Sequence, residues 1–301
     1  FVCSFLVIVK MKIIAALLAL AIFALFAGSV HAAANTTQTF NMPYAYQMLY
    51  YSGVAHCPRA AVDAWNCYWC KKVEHAESVK ALKYFEVKSL GISGMIAENA
   101  ALKKLILSFE GTHDWQGWVE DGKFLKTHYA KTDAKIHAGF YHGFLSVSDE
   151  IIDTIQKWRS TNPNENEAQD PSIWVTGHSL GAALALVASM NLTYQYDIPN
   201  TMVSFEGPRV GDKRFADLFV AHMGKYNPIR ITNMKDIVPH VPPIALFYHH
   251  PPQEVWMENF EASKFKICSA TNGEDKSCSD SDVNLSTKDH CQMMGVDICA
   301  C

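Results

Sequence analysis

Residues 177–181 read Gly177-His178-Ser179-Leu180-Gly181, a G-x-S-x-G pentapeptide. Before it stands Ser172-Ile173-Trp174-Val175-Thr176, a short apolar and β-branched run that reads as a buried strand. After it stands Ala182-Ala183-Leu184-Ala185-Leu186-Val187-Ala188, rich in strong helix formers. Strand, sharp turn and helix are the setting of a nucleophile elbow, in which the serine hydroxyl is lifted above the edge of a sheet. The same turn puts the serine at a helix N-terminus, where free N–H groups favour developing negative charge. A chance pentapeptide would not bring a matching strand and helix with it.

Outward from the elbow the chain alternates strand and helix signals. Leu105-Ile106-Leu107-Ser108-Phe109, Thr201-Met202-Val203-Ser204-Phe205 and Ile229-Arg230-Ile231-Thr232 read as strands. Val147 to Trp158 reads as an amphipathic helix, and a shorter helix is expected around Phe215 to His222. Residues from Phe40 begin helically and turn loop-rich around the cysteines before Lys71. This alternation predicts an α/β fold with a mainly parallel sheet covered on both faces. Functional groups then gather beyond the carboxyl ends of the strands, where Thr112, Ser179 and Asp236 all fall.

The chain has 301 residues, 49% of them hydrophobic and 19% charged, with a formal net charge of −4. That composition suits a globular protein with a large core, and the charge gives no sign of a nucleic-acid partner. Met11-Lys12 opens a continuous apolar stretch from Ile13 to Val30, closed by Val30-His31-Ala32. A charged start, an apolar centre and a small-x-small site describe a secretory signal peptide. We therefore expect residues 11–32 to be a removed leader, residues 1–10 to be an upstream extension that is not native, and residues 33–301 to be a single domain. No other segment is apolar enough to predict a membrane span.

Eight cysteines follow the leader: Cys57, Cys67, Cys70, Cys268, Cys278, Cys291, Cys299 and Cys301. An even count at the two ends of an exported chain predicts disulfides. Cys67-x-x-Cys70 would also suit a redox pair or half a zinc site, but a zinc site ordinarily needs a second such pair. Asn35-Thr36-Thr37, Asn191-Leu192-Thr193 and Asn284-Leu285-Ser286 have the form of glycosylation acceptors.

A serine needs a base to take its proton and an acid to orient that base. In α/β-hydrolases the order along the chain is Ser, then Asp or Glu, then His. Asp236 lies in the loop that leaves a predicted strand. Downstream of it stand His240, His249, His250 and His290, and spacing alone does not choose among them.

The chain resembles the class 3 lipases, the family of secreted fungal triacylglycerol lipases. The resemblance rests on Cys57 with Cys67-x-x-Cys70, on Ser108-Phe109-Glu110-Gly111-Thr112, and on Ile136-His137-Ala138-Gly139-Phe140. It continues through Val175 to Gly181, Gly207-Pro208-Arg209-Val210-Gly211-Asp212, and Asp236-Ile237-Val238-Pro239-His240-Val241-Pro242-Pro243. Glu254-Val255-Trp256, Asp289-His290 with Gly295, and the terminal cysteines complete it, all in the family order.

The resemblance implies the α/β-hydrolase fold and an ester hydrolase that needs no cofactor or metal. It makes Ser179 the nucleophile and Asp236 the triad acid. Of the histidines it selects His290, in a D-H-x-x-x-x-G setting. The oxyanion hole would use the backbone N–H groups of Thr112 and Leu180. A short helical lid would follow Thr112, with Trp115 and Trp118 on its apolar face. The implied disulfides are Cys57–Cys301, Cys67–Cys70 and Cys268–Cys278, leaving Cys291 and Cys299 for a fourth. The implied partner is lipid or another ester, met at a lipid–water interface outside the cell. A phospholipase A1 or a feruloyl-type esterase would share this fold and triad, and an inactive lipid-binding module would share the fold alone. Three departures stand out. Glu110 occupies a position where arginine is common, Ala182 one where glycine is frequent, and Cys291 directly follows His290.

Overall fold

The computed structural model describes residues 40–112, 117, 122, 124–164 and 166–301. By its contacts the chain divides into Phe1–Phe40 and Asn41–Cys301. The expected leader therefore lies outside the described residues, and so do Trp115 and Trp118. No helix among the described residues is long and apolar enough to cross a membrane.

An eight-stranded sheet organises the second unit. Its strands are β1 (Val79–Val87), β2 (Ile92–Asn99), β3 (Lys104–Phe109), β6 (Ile173–His178), β7 (Asn200–Phe205), β8 (Ile229–Asn233), β9 (Glu254–Met257) and β10 (Phe265–Ile267). They lie in the order β1-β2-β3-β6-β7-β8-β9-β10. Neighbours from β3 to β9 pair in parallel, and antiparallel partners close both edges. The hairpins β4 (Lys126–His128) with β5 (Lys135–His137), and β11 (Gln292–Met293) with β12 (Val296–Asp297), stand apart from it.

Alternation along β3 and β6 sends successive side chains to opposite faces. Leu105, Leu107, Phe109, Ile173 and Val175 enter one buried cluster with Ala183, Leu184 and Val187 of helix α5 (Leu180–Tyr196). Helix α5 is buried from Gly181 to Leu192 and has no polar stripe, as befits a helix enclosed on all sides. The other face meets α1 (Met42–Val54), which is started by Asn41 accepting from the Tyr44 N–H. Here Trp174 meets Tyr44 edge-on at 5.1 Å. Ser108 and Thr176 donate to the carbonyls of Tyr51 (3.0 Å) and Met48 (3.2 Å). Their hydroxyls are thus satisfied inside the core, as buried polar groups must be.

Among the described residues, further α-helices are α2 (Arg59–Asp63), α3 (Ala138–Leu145), α4 (Ser148–Thr161) and α6 (Lys213–Met223). Helix α4 buries Ile151, Ile152, Ile155 and Trp158 and exposes its charges, the pattern expected of Val147 to Trp158. Disulfides join Cys57 to Cys301, Cys67 to Cys70, Cys268 to Cys278 and Cys291 to Cys299. Asn191 is only 2% exposed, within α5, so it is closed to a glycan, whereas Asn284 is exposed.

Candidate active site

Ser179 stands between the end of β6 and the start of α5 with φ +58° and ψ −124°. A non-glycine residue with positive φ is strained, and such strain is characteristic of an elbow. The turn is tight enough that a Cβ on Gly181 would lie 2.3 Å from the carbonyl oxygen of Phe109. Only glycine lets β3 and α5 approach in this way. A Cβ on Gly111 would lie 2.8 Å from the His178 oxygen and 3.3 Å from Cβ of Ser179. The segment leading to Thr112 therefore runs directly beside the serine. Leu180 opens α5, and the first N–H groups of a helix have no carbonyl within it to bond.

Three side chains from three distant parts of the chain meet here. His290 Nε2 is 2.8 Å from Ser179 Oγ, and its Nδ1 is 2.9 Å from Asp236 Oδ2. All three are buried. The second Asp236 oxygen accepts from the Val238 N–H at 3.0 Å. Asp236 leaves the end of β8 and bridges Ser286, tying its loop to the segment that leads to His290. His290 itself lies in a 3-10 turn, Lys288–Cys291.

That turn is held from several sides. His178 Nε2 donates to the His290 carbonyl at 2.8 Å. Asn233 Nδ2 donates to the carbonyls of Asp289 (3.2 Å) and Gln292. The Lys235 N–H donates to the Asp289 carboxylate at 3.2 Å. The Cys291–Cys299 bridge closes the segment just beyond. Cys291, unexpected beside a candidate base, thus anchors its loop.

The other histidines serve elsewhere. His240 Nδ1 pairs with Asp280 at 3.3 Å. His250 is buried, its Nε2 bonded to the Pro239 carbonyl at 2.8 Å. The His249 N–H donates to Gly211. Glu110 accepts from Ser93 on β2, which places its carboxyl at the edge of the segment carrying Thr112.

Sequence reasoning missed two residues, His178 and Glu206. Glu206 follows β7, is fully buried and has its Oε2 2.9 Å from His178 Nε2. Burial first, then the carboxylates of Asp236 and Asp289, pushes the Glu206 carboxyl well above its ordinary range. Burial first, then His290 and His56, holds the His178 imidazole well below its ordinary range. Both shifts favour the uncharged forms. A glutamate at a strand end before Gly207-Pro208 reads as an ordinary turn residue, so only its apolar approach Met202-Val203-Ser204-Phe205 could have marked it as buried.

His178, Glu206 and His290 are also close enough to share an ion. The His290 nitrogens are already committed to Ser179 and Asp236, and His178 Nε2 to the His290 carbonyl. The other such groups among the described residues contain disulfide cysteines.

Fold and geometry together define an α/β-hydrolase with a serine–histidine–aspartate arrangement at the carboxyl edge of its sheet. Residues 106–246 match the family model described as lipase (class 3). A lipase from Rhizomucor miehei is 29% identical over 282 residues, 91% of this chain and 73% of that one. The solved R. miehei triacylglyceride lipase superposes with a TM-score of 0.76 at 26% identity, covering 86% of this chain and 96% of that one. The crystal structure of a lipase from Rhizopus microsporus var. chinensis matches at 30% identity and a TM-score of 0.76, covering 87% of this chain and 91% of that one. A secreted mono- and diacylglycerol lipase from Fusarium solani is 28% identical over 206 residues, 66% of this chain and 59% of that one. The chain belongs to the class 3 lipase family and is a carboxylic-ester hydrolase.

Proposed function

We propose that this chain is a secreted triacylglycerol lipase that works through an acyl-enzyme on Ser179. The observation that carries the reading is the unbroken chain of contacts from Ser179 Oγ through His290 to Asp236. His290 accepts the Ser179 proton as Oγ attacks the ester carbonyl. The developing oxyanion is met by the N–H groups of Thr112 and Leu180, and loss of one such donor costs about 100-fold or more in turnover. His290 then gives its proton to the departing alcohol. Water, activated by the same imidazole, releases the fatty acid and restores Ser179. Asp236 holds the Nδ1–H tautomer throughout, so that Nε2 is free to accept.

A lipid–water interface as the working surface is supported by exposed apolar side chains. Leu246 and Phe247 stand exposed in the connection that also carries Asp236, and Leu125 is exposed on the adjoining segment. The two segments are tied by Lys126 Nζ on the Leu246 carbonyl (2.5 Å) and by the Tyr248 hydroxyl on the Phe124 carbonyl (3.2 Å). Such a patch is the kind that meets another apolar phase. Export is supported by the leader-like residues 11–32 and by four disulfides.

The test is hydrolysis of tributyrin across its solubility limit, beside phosphatidylcholine and methyl ferulate, with Ser179→Ala as control. The reading predicts a rise in rate once an interface forms and loss of turnover on the order of 10⁶-fold in the variant. Faster hydrolysis of phosphatidylcholine or methyl ferulate would replace triacylglycerol by phospholipase A1 or feruloyl-esterase chemistry.

A further inference from the structure

The turn that carries His290 presents three backbone oxygens, and two side chains bind them. His178 holds the His290 oxygen, and Asn233 holds those of Asp289 and Gln292. Glu206 touches the first of these side chains: its Oε2 lies 2.9 Å from His178 Nε2, so that the one Nε2–H faces both this oxygen and the His290 carbonyl. Glu206 Oε1 is buried with no hydrogen-bond partner among the described residues.

We propose that Glu206 is a positioning residue for His290: an uncharged carboxyl that holds His178, whose Nε2 meets the His290 carbonyl, and so fixes the turn whose imidazole meets Ser179. The inference rests on the reading of Ser179 and His290 given above. The surroundings favour the neutral form. Burial first, then the like charge of Asp236 and Asp289, raises the Glu206 carboxyl against a smaller opposing effect of Asn233, and burial first, then His290 and His56, lowers the His178 imidazole. Glu206 has φ +51°, in the left-handed region that glycine adopts most easily, so a glycine fits its backbone without strain.

The experiment compares Glu206→Gln, Glu206→Gly and the unaltered chain on a soluble p-nitrophenyl ester, measuring kcat, KM and the pH profile, with Ser179→Ala as control. A glutamine amide reproduces the uncharged acid, and its oxygen accepts from His178 as Oε2 does. Glu206→Gln should keep kcat within about threefold and leave the pH profile in place. Glu206→Gly relaxes the backbone and so should fold, as a thermal melt will check. It should lower kcat by roughly 10- to 100-fold with KM unchanged, the cost of a misplaced reacting group. An unchanged kcat in Glu206→Gly overturns the proposal alone. So does a shifted acid limb in Glu206→Gln, or a loss as deep as the glycine variant's, since either would mean that Glu206 acts as an anion. Activity surviving in Ser179→Ala overturns the Ser179 reading and the proposal with it.

Discussion

Asp236→Asn exchanges one oxygen for an NH2 group, and the surrounding contacts decide what that does. Asp236 serves two donors, the Val238 N–H through Oδ1 at 3.0 Å and His290 Nδ1 through Oδ2 at 2.9 Å. An asparagine has one oxygen for both. If that oxygen turned to His290, the buried Val238 N–H would face an NH2 group and stand unbonded, at a cost of about 1–3 kcal/mol. The oxygen therefore stays with Val238, and the NH2 faces His290. Nδ1 must then accept, so the imidazole carries its proton on Nε2, pointing at the Ser179 hydroxyl it should deprotonate. The wrong tautomer lowers kcat by about 10⁴-fold, equivalent to about 5.4 kcal/mol at about 1.36 kcal/mol per decade. The assay is steady-state hydrolysis of a soluble p-nitrophenyl ester, with circular dichroism to confirm the fold. A variant within tenfold of the unaltered enzyme would refute the reasoning, because it would mean that Asp236 does not set the tautomer.

Two further outcomes follow from the scaffold. Cys57–Cys301 closes a loop with a sequence separation of 244, and Cys67–Cys70 one of only 3. Loop-closure entropy gives about 5.5 and about 1.6 kcal/mol as upper figures, so Cys57→Ser with Cys301→Ser should lower Tm far more than Cys67→Ser with Cys70→Ser. Equal shifts in a calorimetric scan would contradict this. Asp280 is held below its ordinary pKa chiefly by its hydrogen bond with His240, with Arg209 adding to it. A depressed carboxyl stabilises the fold above its unfolded pKa, about 3.9, and this contribution is lost as pH falls through the lower folded value. Acid unfolding followed by circular dichroism should therefore be less steep below about pH 4 in Asp280→Asn; an identical acid limb would sink the assignment.

Much of the parallel sheet was legible because its strands are short, apolar and bounded. Leu105 to Phe109 and Thr201 to Phe205 each fall within one residue of the observed strands β3 and β7. The antiparallel edges were not. Strand β1 reads Val-Lys-Ala-Leu-Lys-Tyr-Phe-Glu-Val, and a register shift between Ala81 and Lys83 breaks the alternation that would have marked it. Strand β9 hides a glutamate: Glu254 is buried on the Thr232 hydroxyl at 2.5 Å, a partner that no local pattern predicts. The elbow was visible because its glycines, serine and helix are contiguous. His290 was not visible from spacing, since its distance from Asp236 is set by the loops and bridges between them. Family resemblance supplied it. Glu206 and His178 escaped notice because burial, which defines what they do, is a property of the folded chain.

The identity of the nucleophile is open to the most direct test. Treating the protein with diethyl p-nitrophenyl phosphate and mapping the adduct by mass spectrometry should find one phosphoryl group per chain, on Ser179, with labelling and hydrolysis lost in step. Full inactivation with the adduct on any other residue would contradict it.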